Sequence, residues 1–153
     1  MSETTTTAKP TDVLKHTGQL RATALAAIVM LLVEFAIGSN LDNTVPKAAH
    51  GEPIFSAFGI AIAQGPIALG IHAVIGTLII AGAIQAFVRA IQTRKIAYLV
   101  LSIIALVAIV LAWFGGSTYV STQSAVASHI MGLGTGVALL CFAIVLFILP
   151  KRP

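Results

Sequence analysis

The sequence predicts an all-α integral membrane protein, a four-helix bundle with an extra helix on its outer surface between spans one and two. Only 9% of the 153 residues are charged and 58% are apolar, against about 25% charged in an ordinary soluble domain. The apolar residues form four long blocks, and the mean hydropathy is +0.99. This composition excludes a water-soluble globule. It also excludes nucleic-acid binding, because the net charge of +4 comes from cations that flank apolar blocks rather than from one basic face.

The chain is expected to begin with a disordered cytoplasmic tail, residues 1–10, which is rich in threonine and ends in proline. The remainder, 11–153, is predicted to be one four-span membrane domain. Its first residues, TDVLKHTGQLR, predict a short helix start at the lipid surface. Because this polar lead precedes the first apolar block and three more blocks follow, we do not expect a cleaved signal peptide.

The four spans are predicted at about 22–39, 67–88, 97–114 and 126–149. At ~1.5 Å per residue, each block is long enough to cross the hydrocarbon layer. The basic join RAIQTRK separates the second span from the third, and the segment GGSTYVSTQS is predicted as a small polar loop before the fourth. Pro150 ends the last span.

The outer segment 40–66 is too long for a simple turn. Its second part, PIFSAFGIAIAQGP, is mostly apolar between two prolines, which predicts a helix along the outer surface. Phe55, Phe58 and Ile62 have helical spacing, so we expect them to rest on the tops of the spans. A re-entrant hairpin is the alternative.

The distribution of positive charge predicts the orientation in the cell membrane. Lysine and arginine are enriched in cytoplasmic joins, and eight of the nine cations lie on the side that holds both termini. Both termini are therefore predicted to be cytoplasmic. Trp113 and Tyr119 fall near the opposite boundary, where aromatic side chains concentrate.

Three ionisable residues lie within the spans at similar depth. Counted from the outer ends, Glu34, His72 and His129 all fall roughly 5 to 9 Å below the outer boundary. Placing a charged side chain at the centre of a span costs about 2.5 to 3.5 kcal/mol, so each of these residues is expected to have an interaction partner or a functional role.

The two histidines support three hypotheses. Imidazoles from spans two and four can ligate a heme b between the helices, with Gly76 and Gly132 letting the macrocycle approach the backbone, for electron transfer near the outer face or heme handling. Alternatively, Glu34 forms a structural pair with either ring, as in a cofactor-free subunit or scaffold of a larger complex. The third hypothesis is a non-heme metal held by His72, His129 and Glu34.

Other residues add little chemistry. Gly132 and Gly136 form a GxxxG pair that favours close helix packing. Gln85 is expected to make an interhelical hydrogen bond, and Cys141, the only cysteine, to be a small packing residue. His50 is expected to be an exposed loop residue that is able to join a site. No phosphate-binding loop, paired catalytic carboxylates or Ser–His–Asp set is present, so the sequence assigns no catalytic residue.

The four spans, the outer helix and the histidines in GIHAVIGTL and ASHIMGLG resemble one half of heme A synthase. The resemblance covers about residues 22–149 and implies that His72 and His129 are axial ligands of a heme iron on the outer side. It also implies a homodimer, because in that family the second half of the protein covers one face of the first four-helix bundle, and a second copy of this chain would take that place. The turn QGPIALGI lacks the carboxylate that accompanies the first histidine there, so hydroxylation is not implied. The stretch LLVEFAIGSNLDN is also similar to small four-span bacterial membrane proteins, which implies no activity.

Overall fold

The computed structural model describes residues 10–41, 44–46 and 52–150 and contains five helices there. They are α1 (Pro10–Leu41), α2 (Ile54–Gln64), α3 (Ile67–Thr93), α4 (Ile96–Thr122) and α5 (Ala125–Ile148). Residues 1–9, the greater part of the predicted tail, lie outside the described residues.

Four of these helices, α1, α3, α4 and α5, are long and apolar enough to cross a membrane. They form a closed ring in which α1 packs on α3, α3 on α4, α4 on α5, and α5 on α1. Many large apolar side chains point away from this ring and are exposed. Because such a surface is stable in lipid and not in water, the protein is an integral membrane protein, as predicted.

The helices extend further than the sequence predicts. The polar run GGSTYVST is part of α4, and only Gln123 and Ser124 separate α4 from α5, so the predicted ten-residue loop is wrong. Its hydroxyls are satisfied inside the helix by carbonyls of the preceding turn, as Ser117 donates to Trp113 at 3.0 Å, so the run can be buried without a loop. The predicted helix start at residues 11–21 is helical, and it belongs to the same helix as the first span, because α1 runs without interruption from Pro10.

The predicted outer helix exists as α2, and it packs on α3 and α4. The prediction for its inner face is right in part: Phe58 and Phe55 pack on Trp113 of α4, but the fully buried residues are Ala57 and Ala61. Phe55 is 72% exposed and Ile62 is also exposed. Small side chains let α2 approach the tops of the spans closely, whereas phenylalanine on that face would hold it away.

The interior contains two separate apolar clusters. The larger one runs through the half of the bundle where α1 begins and α5 ends, and small residues such as Ala83, Ala86 and Ala90 let the helices pack closely there. The smaller cluster, which includes Leu41, Ala57 and Leu69, lies beneath α2. The space between the two clusters holds the candidate site.

Arginine side chains form hydrogen bonds between helices at the end of the bundle where α1 begins and α5 ends. Arg21 on α1 donates to the carbonyl of Pro150 at 2.8 Å and to that of Leu149 at 3.2 Å, beyond the last turn of α5. Arg89 on α3 donates to the carbonyl of Gln19 at 2.7 Å. The Arg21 guanidinium thus satisfies carbonyls that the C-terminus of α5 leaves free, whereas Arg89 joins α3 to the middle of a turn of α1. We call this half the basic end and the opposite half the α2 end.

Candidate functional site

Glu34 on α1 and His72 on α3 are in contact inside the bundle. Nδ1 of His72 lies 3.1 Å from Oε1 of Glu34, with 20% and 13% of the two side chains exposed. The ring is turned so that this contact is not an aligned hydrogen bond. Nδ1 and the second carboxylate oxygen, Oε2, are therefore buried polar atoms without a hydrogen-bond partner among the described residues. Such atoms carry a desolvation cost that a further partner would relieve.

Two glycines make room for this pair in a reciprocal arrangement. A Cβ at Gly38, four residues after Glu34, would lie 2.9 Å from Cε1 of His72. A Cβ at Gly76, four residues after His72, would lie 3.0 Å from Oε1 of Glu34. Because α1 and α3 run in opposite directions, each polar side chain rests on the glycine of the other helix. The backbone geometry thus brings imidazole and carboxylate together.

The pair borders a cavity of about 330 Å³, which we call the α2-end cavity. All five helices line it, and members of both apolar clusters close it, Leu31 and Ile79 on one side and Leu41 and Leu69 on the other. Its volume is at the lower end of the range for small-molecule sites.

The cavity reaches the surface of the bundle along α1. Phe35, which is 57% exposed, and Ser39 are its exposed lining residues. Both lie beside Glu34 and Gly38 on the first span. The opening therefore lies on the side of the bundle that α1 forms.

Aromatic side chains line the side of the cavity near α2. Trp113 on α4 packs against Phe58 and Phe55 of α2, with ring centroids 6.1 and 6.4 Å away. Trp113 and Phe58 line the cavity. Trp113 is the only tryptophan of the chain, so its fluorescence reports on this space. The sequence placed it only in a boundary belt, and nothing in its local pattern indicated a cavity wall.

His129 does not join the pair. It lies on an exposed face of α5 that it shares with Val126, Leu133 and Leu140, and it is not among the cavity-lining residues. The neighbouring residues Ser128, Met131 and Gly132 line the cavity instead. Within the described parts of the chain, no three histidine, cysteine or acidic side chains are grouped to hold a metal ion. The three predicted site residues thus divide into a pair, Glu34 with His72, and a separate His129.

The two glycines of the predicted GxxxG pair do not pack against another helix. A Cβ at Gly132 or Gly136 would meet nothing within 4 Å. Gly132 lines the cavity and Gly136 is exposed. Close packing of α4 on α5 depends on Gly134 and Gly115 instead, where a Cβ would lie 2.5 Å from the carbonyl oxygen of Ala108 and 2.9 Å from the amide nitrogen of Met131.

Two of the remaining candidates, Gln85 and Cys141, lie away from the cavity. Gln85 is exposed and borders a second cavity, between α1 and α3 in the basic half; it makes no hydrogen bond to the described residues. Cys141 is buried in the larger apolar cluster. His50 lies outside the described residues.

One sequence pattern indicates the pair in retrospect. The first span contains EFAIG and the second contains HAVIG, so each has an ionisable residue followed four positions later by glycine. Residues four apart share one helix face. On two adjacent antiparallel helices the pattern places each side chain opposite a glycine.

No family model matches the sequence, and no curated protein or solved structure is significantly similar to it.

Proposed function

We propose that this protein is a membrane-embedded binding protein whose α2-end cavity holds a small, largely apolar molecule with one polar group. The observation that carries the proposal is the contact between Glu34 and His72 at the wall of a cavity, with Oε2 and Nδ1 left without hydrogen-bond partners among the described residues. Ionisable side chains within spans are costly and mark functional sites by default. A polar group bound beside the pair would offer the partner that Oε2 lacks.

The opening at Phe35 and Ser39 supports entry of the ligand from the bilayer. The described cations Lys15, Arg21, Arg89, Arg94 and Lys95 all lie toward the basic end, which supports a cytoplasmic position for that end and for both termini. In this orientation the cavity lies in the outer half of the membrane. The protein would thus bind a molecule that partitions into the outer leaflet.

Heme b is the second candidate, and the pairing of His72 with Glu34 favours it. Histidines that ligate metals commonly donate their other ring nitrogen to a carboxylate, which fixes the ring. His72 would ligate the iron through Nε2, and the cofactor would supply electron transfer. Only one histidine of the predicted pair borders the cavity, so ligation by His129 as well requires its ring to turn inward from the exposed face of α5.

The test is to purify the full chain from its native membrane in a mild detergent and to record its absorption spectrum and native mass spectrum. A matched pair of variants on α5 identifies the site. Gly132→Leu places a side chain into the cavity, and Gly136→Leu places the same side chain on the exposed surface, both without a backbone clash.

We expect a bound molecule in the wild type and in Gly136→Leu, and its loss in Gly132→Leu. A Soret band that disappears in His72→Ala identifies the molecule as heme, and its disappearance in His129→Ala as well would support bis-histidine ligation. A bound molecule that Gly132→Leu retains would contradict the proposed cavity. No bound molecule and no binding of added ligands would favour a cofactor-free subunit that associates with itself or with a larger complex.

A further inference from the structure

We infer that the ligand of the α2-end cavity is a lipophilic cation with an N–H donor, such as a protonated amine on an apolar body. This inference rests on the proposed binding function and specifies the ligand class. It follows from the charges of the lining residues, from the direction of their hydrogen bonds, and from the aromatic side chains.

The charges of the lining favour a cation over an anion. Among the described residues that line the cavity, Glu34 is the only acid, and none is lysine or arginine. His72 and Tyr119 are the other titratable lining residues. A carboxylate or phosphate ligand would face Glu34 without an opposing lysine or arginine, whereas an ammonium would be attracted to the carboxylate in a medium that screens charge poorly.

Three of the hydroxyl groups in the lining already use their hydrogen within the protein. Ser39, Ser117 and Thr135 donate their hydroxyl hydrogens to backbone carbonyls of their own helices, at 3.1, 3.0 and 2.9 Å. A carbonyl can only accept, so the hydroxyl must be the donor in each case. Their oxygen lone pairs therefore remain as acceptors, and a ligand rich in N–H donors matches them.

The two oxygens of Glu34 have different surroundings. Oε1 lies 3.1 Å from Nδ1 of His72. Oε2 is buried and has no hydrogen-bond partner among the described residues. An ammonium at the cavity wall would donate to Oε2 while His72 keeps its contact with Oε1, and a charge-assisted hydrogen bond of this kind is stronger than a neutral one.

The aromatic residues match the remainder of such a ligand. Trp113 and Phe58 line the cavity together with Phe35 at its opening. Their ring faces carry partial negative charge and attract cations, with tryptophan the strongest. Their apolar area also accommodates a hydrocarbon body.

The test uses three probes that share one apolar cage and differ in charge: 1-adamantylammonium, 1-adamantanol and 1-adamantanecarboxylate. Each is titrated into the full chain in an uncharged detergent, and the fluorescence of Trp113 is recorded. We expect the ammonium to bind at least about tenfold more tightly than the alcohol, because its hydrogen bond to Glu34 joins two opposite charges whereas the alcohol donates from a neutral group. The carboxylate should bind more weakly than the alcohol.

Two variants test the role of Glu34. Glu34→Gln keeps the shape and removes the charge, so the ammonium should bind no more tightly than the alcohol. Glu52→Gln, the matched control, removes a carboxylate outside the cavity lining and should leave all three affinities unchanged. Because Gly132→Leu fills the cavity, any change in its Trp113 fluorescence measures the effect of probe that is dissolved in the micelle and not bound.

Equal affinities of the ammonium and the alcohol in the wild type would overturn the inference while leaving the binding function intact. The same holds if Glu34→Gln does not lower the affinity for the ammonium. If none of the probes changes the fluorescence beyond the response of Gly132→Leu, the cavity does not bind small apolar molecules, and the proposed function fails with the inference.

Discussion

Replacing Gly134 with alanine should separate α4 from α5 and destabilise the bundle. A Cβ at this position would lie 2.5 Å from the carbonyl oxygen of Ala108 and 3.1 Å from the amide nitrogen of Ala112. Both atoms belong to the backbone of α4, so no side-chain rotation can relieve the contact. To restore an ordinary separation the two helices must move apart by nearly 1 Å.

The expected loss is about 1 to 3 kcal/mol in the free energy of unfolding, the range for overpacking a well-packed interior. Alanine also has a higher helix propensity than glycine by up to about 1 kcal/mol, which offsets part of the loss. Gly136→Ala carries the same propensity gain and meets nothing within 4 Å. The difference in unfolding free energy between the two variants therefore gives the cost of the packing contact alone.

The assay is unfolding in mixed micelles with increasing sodium dodecyl sulfate, followed by circular dichroism. Gly134→Ala should unfold at lower detergent fraction than the wild type, and Gly136→Ala at an equal or higher one. Equal midpoints for both variants would show that α4 and α5 do not pack closely at Gly134, and the packing described here would be wrong.

Three further predictions concern the basic end, the Glu34–His72 pair and the aromatic wall. Arg89→Met removes a 2.7 Å hydrogen bond to a carbonyl of α1 and should lower the free energy of unfolding by about 1 to 3 kcal/mol in the same assay. Gly38→Ala places a methyl group 2.9 Å from the ring of His72. It should displace the ring by about half an ångström and weaken ammonium binding severalfold in the fluorescence titration. Phe58→Ala removes a ring that packs on Trp113 and should shift the emission of Trp113 to longer wavelength as its surroundings become more polar.

Each of these has a control. Arg94→Met removes an exposed cation from the same end and should change the free energy of unfolding by less than about 0.5 kcal/mol; an equal loss in both arginine variants would refute a specific role for Arg89. Gly136→Ala should leave ammonium binding unchanged. Phe55 is more exposed than Phe58, so Phe55→Ala should shift the emission less, and the opposite order would contradict the cavity lining.

The sequence predicts most of this fold because its apolar blocks are long and the prolines at 53 and 66 bracket α2. The prediction from sequence fails where a polar segment is helical. The run GGSTYVST has the composition of a loop, yet Ser117 satisfies its hydroxyl within the helix and Gly115 packs against α5. The sequence also misses Ala57 and Ala61 as the fully buried residues of α2, because close approach selects small side chains there.

The candidate site is only partly predictable for a geometric reason. Counting residues gives the depth of Glu34, His72 and His129, and two of the three do meet. The direction in which each side chain points depends on the rotation of its helix, and depth carries no information about that rotation. His129 therefore shares the predicted level yet lies on an exposed face of α5. The glycines four residues after Glu34 and His72 indicate the helix faces that meet, because each shares a face with its ionisable residue.

The most direct test of the site is nitrogen NMR of the histidine side chains, with the His72 ring assigned by its loss in His72→Gln. The structure predicts that Glu34→Gln shifts the ring nitrogen signals of His72 and leaves those of His129 and His16 in place. A shift of the His129 ring, or no shift of any ring, would mean that the carboxylate of the first span does not meet the imidazole of the second, and the proposed site would be wrong.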